Sequence, residues 1–195
     1  MSDPMASLAG MRAVRPGKLT LTSVVGAGAA ALLMTMVPAE ESGRKVAVTI
    51  AKDGSATVQH VSGPQYLKAY LDAVGVATAC DGITKGVKMG QHYTEAQCAS
   101  MLEQELIVHA QGVQRCTPGI WATGLDRLRV AAVSMAYNIG IAGYCGSTTA
   151  RLFKAGRYGE GCLAMTMWVK AGGKVLPGLV GRRRRERALC LESVS

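Results

Sequence analysis

Aromatic side chains are scarce in this chain, with one Phe, two Trp and six Tyr among 195 residues. Closely spaced cysteines are missing altogether. Cys80, Cys98, Cys116, Cys145, Cys162 and Cys190 contain no CxxC pair. Zinc ribbons are built on such pairs, so no metal site is expected, and no cofactor either. Internal repeats are absent, and the one low-complexity tract is the run Arg182–Arg185. That run carries no interleaved aromatics. Clustered charge alone is non-specific, so nucleic acid is not an expected partner. A last absence concerns acids: no Asp or Glu stands between Asp53 and Asp72.

What is present points to export and to an anionic target. Lys and Arg number 22 against 13 Asp and Glu, a net charge of +9. Such a balance suits nucleic acid, anionic lipid or the acidic polymers of a bacterial wall. Hydrophobic residues make up 49% of the chain, enough for one domain with a real core plus an appendage. Six dispersed cysteines suit disulfides and an oxidising compartment, with buried free thiols as the alternative. Joining neighbours along the chain pairs Cys80 with Cys98, Cys116 with Cys145 and Cys162 with Cys190, although the count alone leaves other pairings open.

At the N-terminus Arg12, Arg15 and Lys18 flank an uncharged run, Leu19 to Val37, which meets Pro38, Glu40 and Glu41. The run is of spanning length, and its basic flank keeps the N-terminus cytoplasmic. It is rich in Ala, Gly, Thr and Ser, a composition that holds a membrane weakly. A cleaved signal peptide ending at "VPA" and a buried core helix are the alternatives. Residues 1–38 are therefore expected to target the membrane and 39–62 to form a linker. Within that linker "KVAVTI" alternates as a strand does, and "KDG" supplies a turn.

Beyond residue 63 short glycine intervals predict a small sheet, and helices follow. Thr94 and Gln97 form a capping box, with Met101, Leu102, Leu106, His109 and Val113 behind it at helical spacing. Further helices are expected from Asp126 to Gly140, from Ser147 to Gly156, around Cys162–Trp168, and from Pro177 to Cys190. The fold class is α+β: a small hairpin sheet followed by a mainly helical lobe.

Three stretches carry a resemblance. They are "LKAYLDAVGVATACDGITKGVKMGQHYTEAQC", then "AAVSMAYNIG" with "CGSTTARLFKAGRYGEGC", and "WVKAGGKVLPGLVGRRRRERALCL". Together, over roughly residues 63–192, the chain resembles a phage-type lysozyme (endolysin) with a signal-arrest-release N-terminus. The resemblance implies a muramidase that cleaves the β-1,4 bond between N-acetylmuramic acid and N-acetylglucosamine in peptidoglycan. It also implies a monomer, exported to the host periplasm and first tethered to the inner membrane. Its catalytic Asp and Thr fall on Asp72 and Thr78, and Tyr137 and Asn138 border the substrate cleft.

The third catalytic residue of the family is a Glu, and the same register puts Gly63 in its place. Glycoside cleavage needs a proton donor for the leaving oxygen and a second carboxylate for the developing cation. Asp72 suits the second role, with Thr78 placing water. For the first role the sequence offers Asp81, a turn residue where the family has an aromatic or His; His60; and Glu40 or Glu41, should the N-terminal segment fold back onto the domain. If the acid is lost, the rival reading is a non-catalytic wall-binding relative, and Gly63→Glu is expected to restore activity.

Overall fold

The longest described helix, α3 (Glu95–Cys116), starts where the capping box predicts: the Gln97 amide donates to the Thr94 hydroxyl, and the Gln97 side chain accepts from the Thr94 amide. Its buried stripe Cys98, Leu102, Leu106, Ala110 and Val113 faces a second helix, α4 (Asp126–Ile139). The computed structural model describes residues 19–72 and 75–194; the basic flank Arg12, Arg15 and Lys18 lies outside them. Helix α4 is buried on all sides from Leu128 to Ala136, as an apolar helix at the centre of a lobe must be. It ends at Gly140, whose φ of 79° turns the chain into a short helix the sequence reading did not foresee, α5 (Ile141–Cys145). Helices α6 (Thr148–Lys154) and α7 (Tyr158–Ala164) follow, then α8 (Pro177–Leu191), which packs along α4.

The N-terminal run belongs to this lobe. It forms α1 (Leu21–Val25) and α2 (Ala27–Glu41), broken at Gly26 where φ is 89°. Leu21, Val25, Leu33, Met34 and Val37 are buried in the common core, and α2 packs against α4. No described helix is long and apolar enough to cross a membrane. Domain side chains hold both ends of α1. Glu103 accepts from the Leu21 amide at 3.0 Å, while Trp121 and Arg129 donate to the Val24 and Val25 carbonyls at 2.9 and 2.7 Å. These groups satisfy helix-end donors and acceptors that would otherwise be orphaned. Helix α2 thus crosses the expected boundary at residue 38. It runs on to Glu41, and the apolar run packs into the core formed with α3 and α4.

The expected linker is a hairpin. Strands β1 (Lys45–Ile50) and β2 (Ala56–Ser62) pair antiparallel, with Val48 opposite Val58. At the turn the Asp53 carboxylate accepts from the Ser55 amide and hydroxyl. At the root, Gly63 returns against Gly43. A Cβ at Gly63 would lie 2.5 Å from the Gly43 carbonyl oxygen, and φ there is 90°. The hairpin is thus spliced in, its two ends nearly touching.

The expected small sheets are present. Strands β3 (Tyr70–Leu71) and β4 (Ala77–Thr78) form one two-stranded sheet, and β5 (Lys170–Ala171) pairs with β6 (Lys174–Val175) in another. Disulfides join Cys80–Cys98, Cys116–Cys145 and Cys162–Cys190, with Cα separations of 5.4, 5.6 and 5.6 Å. The neighbour pairing holds because each bond ties a turn or short helix to a long helix beside it. Cys80–Cys98 anchors the turn after β4 to α3.

Candidate active site

Helix α2 ends in two carboxylates, Glu40 and Glu41, at the end where a helix dipole disfavours negative charge. Cations from α8 answer them. Arg185 donates from Nε and Nη2 to the two Glu40 oxygens at 2.6 and 2.7 Å. Arg182 donates from Nη1 to Glu41 Oε1. Within the arginine run Arg182 and Arg183 are buried, whereas Arg184 and Arg185 are exposed.

Arg182 is itself fixed on every side. Its Nε donates to Glu186 Oε1 at 3.0 Å and its Nη2 to the Ser134 carbonyl at 3.1 Å. Burial opposes its charge, yet Glu41 and Glu186 outweigh that and hold its pKa above the ordinary value. The Glu186 carboxyl is pushed up by its own burial, against the pull of Arg183 and Arg182. Arg183 lies beside Glu186 at 2.7 Å and donates to the Asn138 side-chain oxygen at 3.1 Å.

The free face of Glu41 looks at the turn after β4. A Cβ on Gly82 would stand 3.4 Å from Glu41 Oε2. In that turn Asp81 is almost wholly buried, and the Tyr137 hydroxyl donates to its backbone carbonyl at 3.1 Å. Asp72 closes the short β3–β4 loop, its Oδ1 accepting from the Val76 amide at 2.8 Å. Thr78, buried on β4, pairs with Tyr70 across the strands and donates to the Val76 carbonyl at 3.0 Å. Tyr70 senses the whole group. Its pKa is raised by burial, then by Tyr66, Asp72, Glu41 and Asp81.

Asn138 lines a depression of about 390 Å³ with Glu40, Glu41, Leu176 and Arg182. Tyr137 lines another, of about 160 Å³, with Gly82, Lys85, Glu105 and His109. A larger hollow of about 530 Å³ lies between β2 and α3, and Glu41, Asp72 and Tyr137 are not among its lining residues. His60 sits within β2 opposite Val46. The structure thus brings Asp81 and Glu41 to the turn that Tyr137 touches. Glu41 is a sequence candidate only if the N-terminal segment folds back onto the domain, since the resembling segment starts beyond the hairpin; the structure shows that fold-back. The signal that singles it out is an apolar helical run ending in paired carboxylates. Among the described residues no group of acids, His or Cys is arranged to hold a metal ion.

Two tyrosines, partly buried Tyr137 beside the Gly82 turn and fully buried Tyr144 in the core against Thr117, give the chain an alkaline signature. Tyr137 is pushed up by burial, then by Glu41, Asp81 and Glu105, with Arg182 opposing; Tyr144 is pushed up by burial, with its Thr117 hydrogen bond opposing. Above about pH 10 the unfolded chain loses tyrosine protons that the native chain keeps. The native state then binds more protons, so stability falls as pH rises through that window and is unaffected by these groups below it. An absorbance titration of the native chain should show these tyrosines ionising only on unfolding. Six tyrosines titrating together near the ordinary value would contradict this.

Residues 63–186 match the family model of phage lysozyme, a match that starts on the far side of the hairpin from Glu41. The chain is 35% identical to a SAR-endolysin of Bacteriophage PS119, over 82% of this chain and 94% of that one. An endolysin structure from Escherichia coli O157:H7 phage FAHEc1 superimposes with a TM-score of 0.58 at 29% identity, covering 66% of this chain and 84% of that one. The active form of the P1 phage endolysin Lyz shares the fold over 90% of this chain and 93% of its own, with a TM-score of 0.64 at 21% identity. With its family model matched over more than half its length, the chain belongs to the phage lysozyme family.

Proposed function

We propose that Glu41 is the general acid of this chain, that Asp72 is its second carboxylate, and that Thr78 helps place the attacking water. The chain is a peptidoglycan-degrading endolysin, a glycosidase of the muramidase type. The observation that carries the assignment is the position of Glu41. It stands at the end of a buried helix, held through Oε1 by Arg182, with Oε2 against the Gly82 turn. A carboxyl held by one oxygen leaves the other to meet the glycosidic oxygen of the leaving sugar. Glu40 is a poorer candidate, since Arg185 occupies both its oxygens. Asp72 faces the cation that develops as the bond breaks. Tyr137 and Asn138 line the flanking depressions and supply contacts for the glycan. The net charge of +9 favours encounter with an anionic wall. A carboxylate at this helix end supports the catalytic reading over that of a non-catalytic relative. The assignment is tested by glycan hydrolysis with Glu41→Gln and Asp72→Asn, each of which should lose activity while folding normally.

The SAR-endolysin relatives point to export to the periplasm. The run Leu19 to Val37 serves as an inner-membrane tether before the domain closes around it, and the chain then works as a monomer. The tether and the folded domain make different demands on the same residues. In the domain Leu32 is 39% exposed, and a Cβ on Gly28 meets nothing. Lysine at both positions should therefore be tolerated by the folded enzyme. In a membrane helix each costs about 2.5–3.5 kcal/mol near the centre. Gly28→Lys with Leu32→Lys is expected to abolish membrane association in cell fractionation while the purified chain stays folded and lytic. Unchanged membrane association would contradict the tether.

A further inference from the structure

The inserted hairpin creates a mechanical problem. Chain continuity does not fix Glu41 relative to the turn it faces, because residues 42–62 leave the cleft and return. One residue spans the root. Arg44, the last residue before β1, is 3% exposed and reaches back with its guanidinium to Asp81, which is 1% exposed. Its Nε donates to Asp81 Oδ1 at 3.1 Å and its Nη2 to Oδ2 at 2.6 Å, while Nη1 donates to Glu95 Oε1 at 3.3 Å. Ser42, directly after Glu41, adds a hydroxyl 2.9 Å from Asp81 Oδ1. Asp81 precedes Gly82, the residue that lies against Glu41 Oε2. A bidentate fork of this kind fixes direction as well as distance.

We propose that Arg44 and Asp81 are a positioning pair that sets the direction of Glu41 across the hairpin root. The proposal rests on Glu41 being the general acid. Neither member is a catalytic residue; both act through the end of α2. Small misplacements of a catalytic group cost rate more than binding. The pair therefore belongs to kcat and not to KM. Lysine at position 44 keeps the charge and loses the fork.

The test is steady-state hydrolysis of a soluble peptidoglycan fragment by the purified, oxidised, full-length chain, with folding followed by circular dichroism. Arg44→Met is expected to lower kcat about tenfold to a hundredfold, with KM changed less than about twofold. Arg44→Lys and Asp81→Asn should fall between it and the wild type. In a Glu41→Gln background Arg44→Met should cost almost nothing further, since residues acting through one group are non-additive. A purely structural role would lower the melting temperature and leave kcat intact at temperatures where the variant is folded. If Arg44→Met does not fold, Arg44→Lys and Asp81→Asn decide the matter. Wild-type kcat in a folded member of this set overturns the pair and leaves Glu41 standing. Full activity of Glu41→Gln alone sinks the underlying assignment instead.

Discussion

Glu41→Gln is expected to reduce peptidoglycan hydrolysis by about 100- to 10,000-fold, the range that general acid catalysis supplies. The amide keeps the size of the side chain and still accepts a hydrogen bond from Arg182 through its oxygen, so the buried network around Glu186 and Ser134 survives. What is removed is the proton for the leaving oxygen. Glu40→Gln is the natural comparison. Its partner Arg185 is 62% exposed while the Glu40 side chain itself is 6% exposed, and the neutral amide keeps an oxygen to accept from Arg185. Its rate should stay within about threefold of the wild type. Turbidity loss of outer-membrane-permeabilised cells reads both variants side by side. Equal losses from the two would mean that the helix end matters and not the proton.

Gly63→Glu should destabilise the chain and give no gain in activity, contrary to what the register of the lysozyme motif implies. The left-handed backbone at φ 90° disfavours any L side chain, and the new Cβ would sit 2.5 Å from the Gly43 carbonyl. Strain of this kind costs about 1–3 kcal/mol before the clash is counted. For a chain of this size each kcal/mol lowers the melting temperature by roughly 2–4 °C. Thermal melting and lysis rate together check the outcome. A faster enzyme would show that the acid's place really is at position 63.

These two substitutions mark where the sequence was transparent and where it was not. Helix α3 is legible because Thr94 and Gln97 bracket its first turn and an apolar stripe follows. Helix α8 is legible from Pro177 onward for a similar reason, and β1 from the alternation of "KVAVTI". Asp72 and Thr78, the other two residues of the proposed site, lie close together in sequence, just after β3 and at the end of β4, so a motif read by spacing reaches both. Helix α5 is hidden because five residues after a glycine carry no period. Glu41, the proposed acid, is named from the sequence only as one of several candidates, for a different reason. A motif read by spacing assumes one continuous segment, and the β1–β2 hairpin breaks that assumption between Glu41 and Gly63. Its ends meet at Gly43 and Gly63, so it adds length without moving the helix end in space. The fate of the apolar run was also ambiguous in the sequence, since an all-apolar helix suits a membrane and a core equally. The core reading becomes visible only through Glu103, Trp121 and Arg129, whose polar groups meet the ends of α1.

The most direct measurement is a structure of the Glu41→Gln chain with a peptidoglycan oligosaccharide spanning the cleft. The account predicts that the glycosidic oxygen lies within about 3.2 Å, hydrogen-bond reach, of the residue 41 carboxamide, with Asp72 facing the same sugar. An oligosaccharide whose scissile oxygen meets Asp81 or His60, with residue 41 turned away toward Arg182, would contradict it.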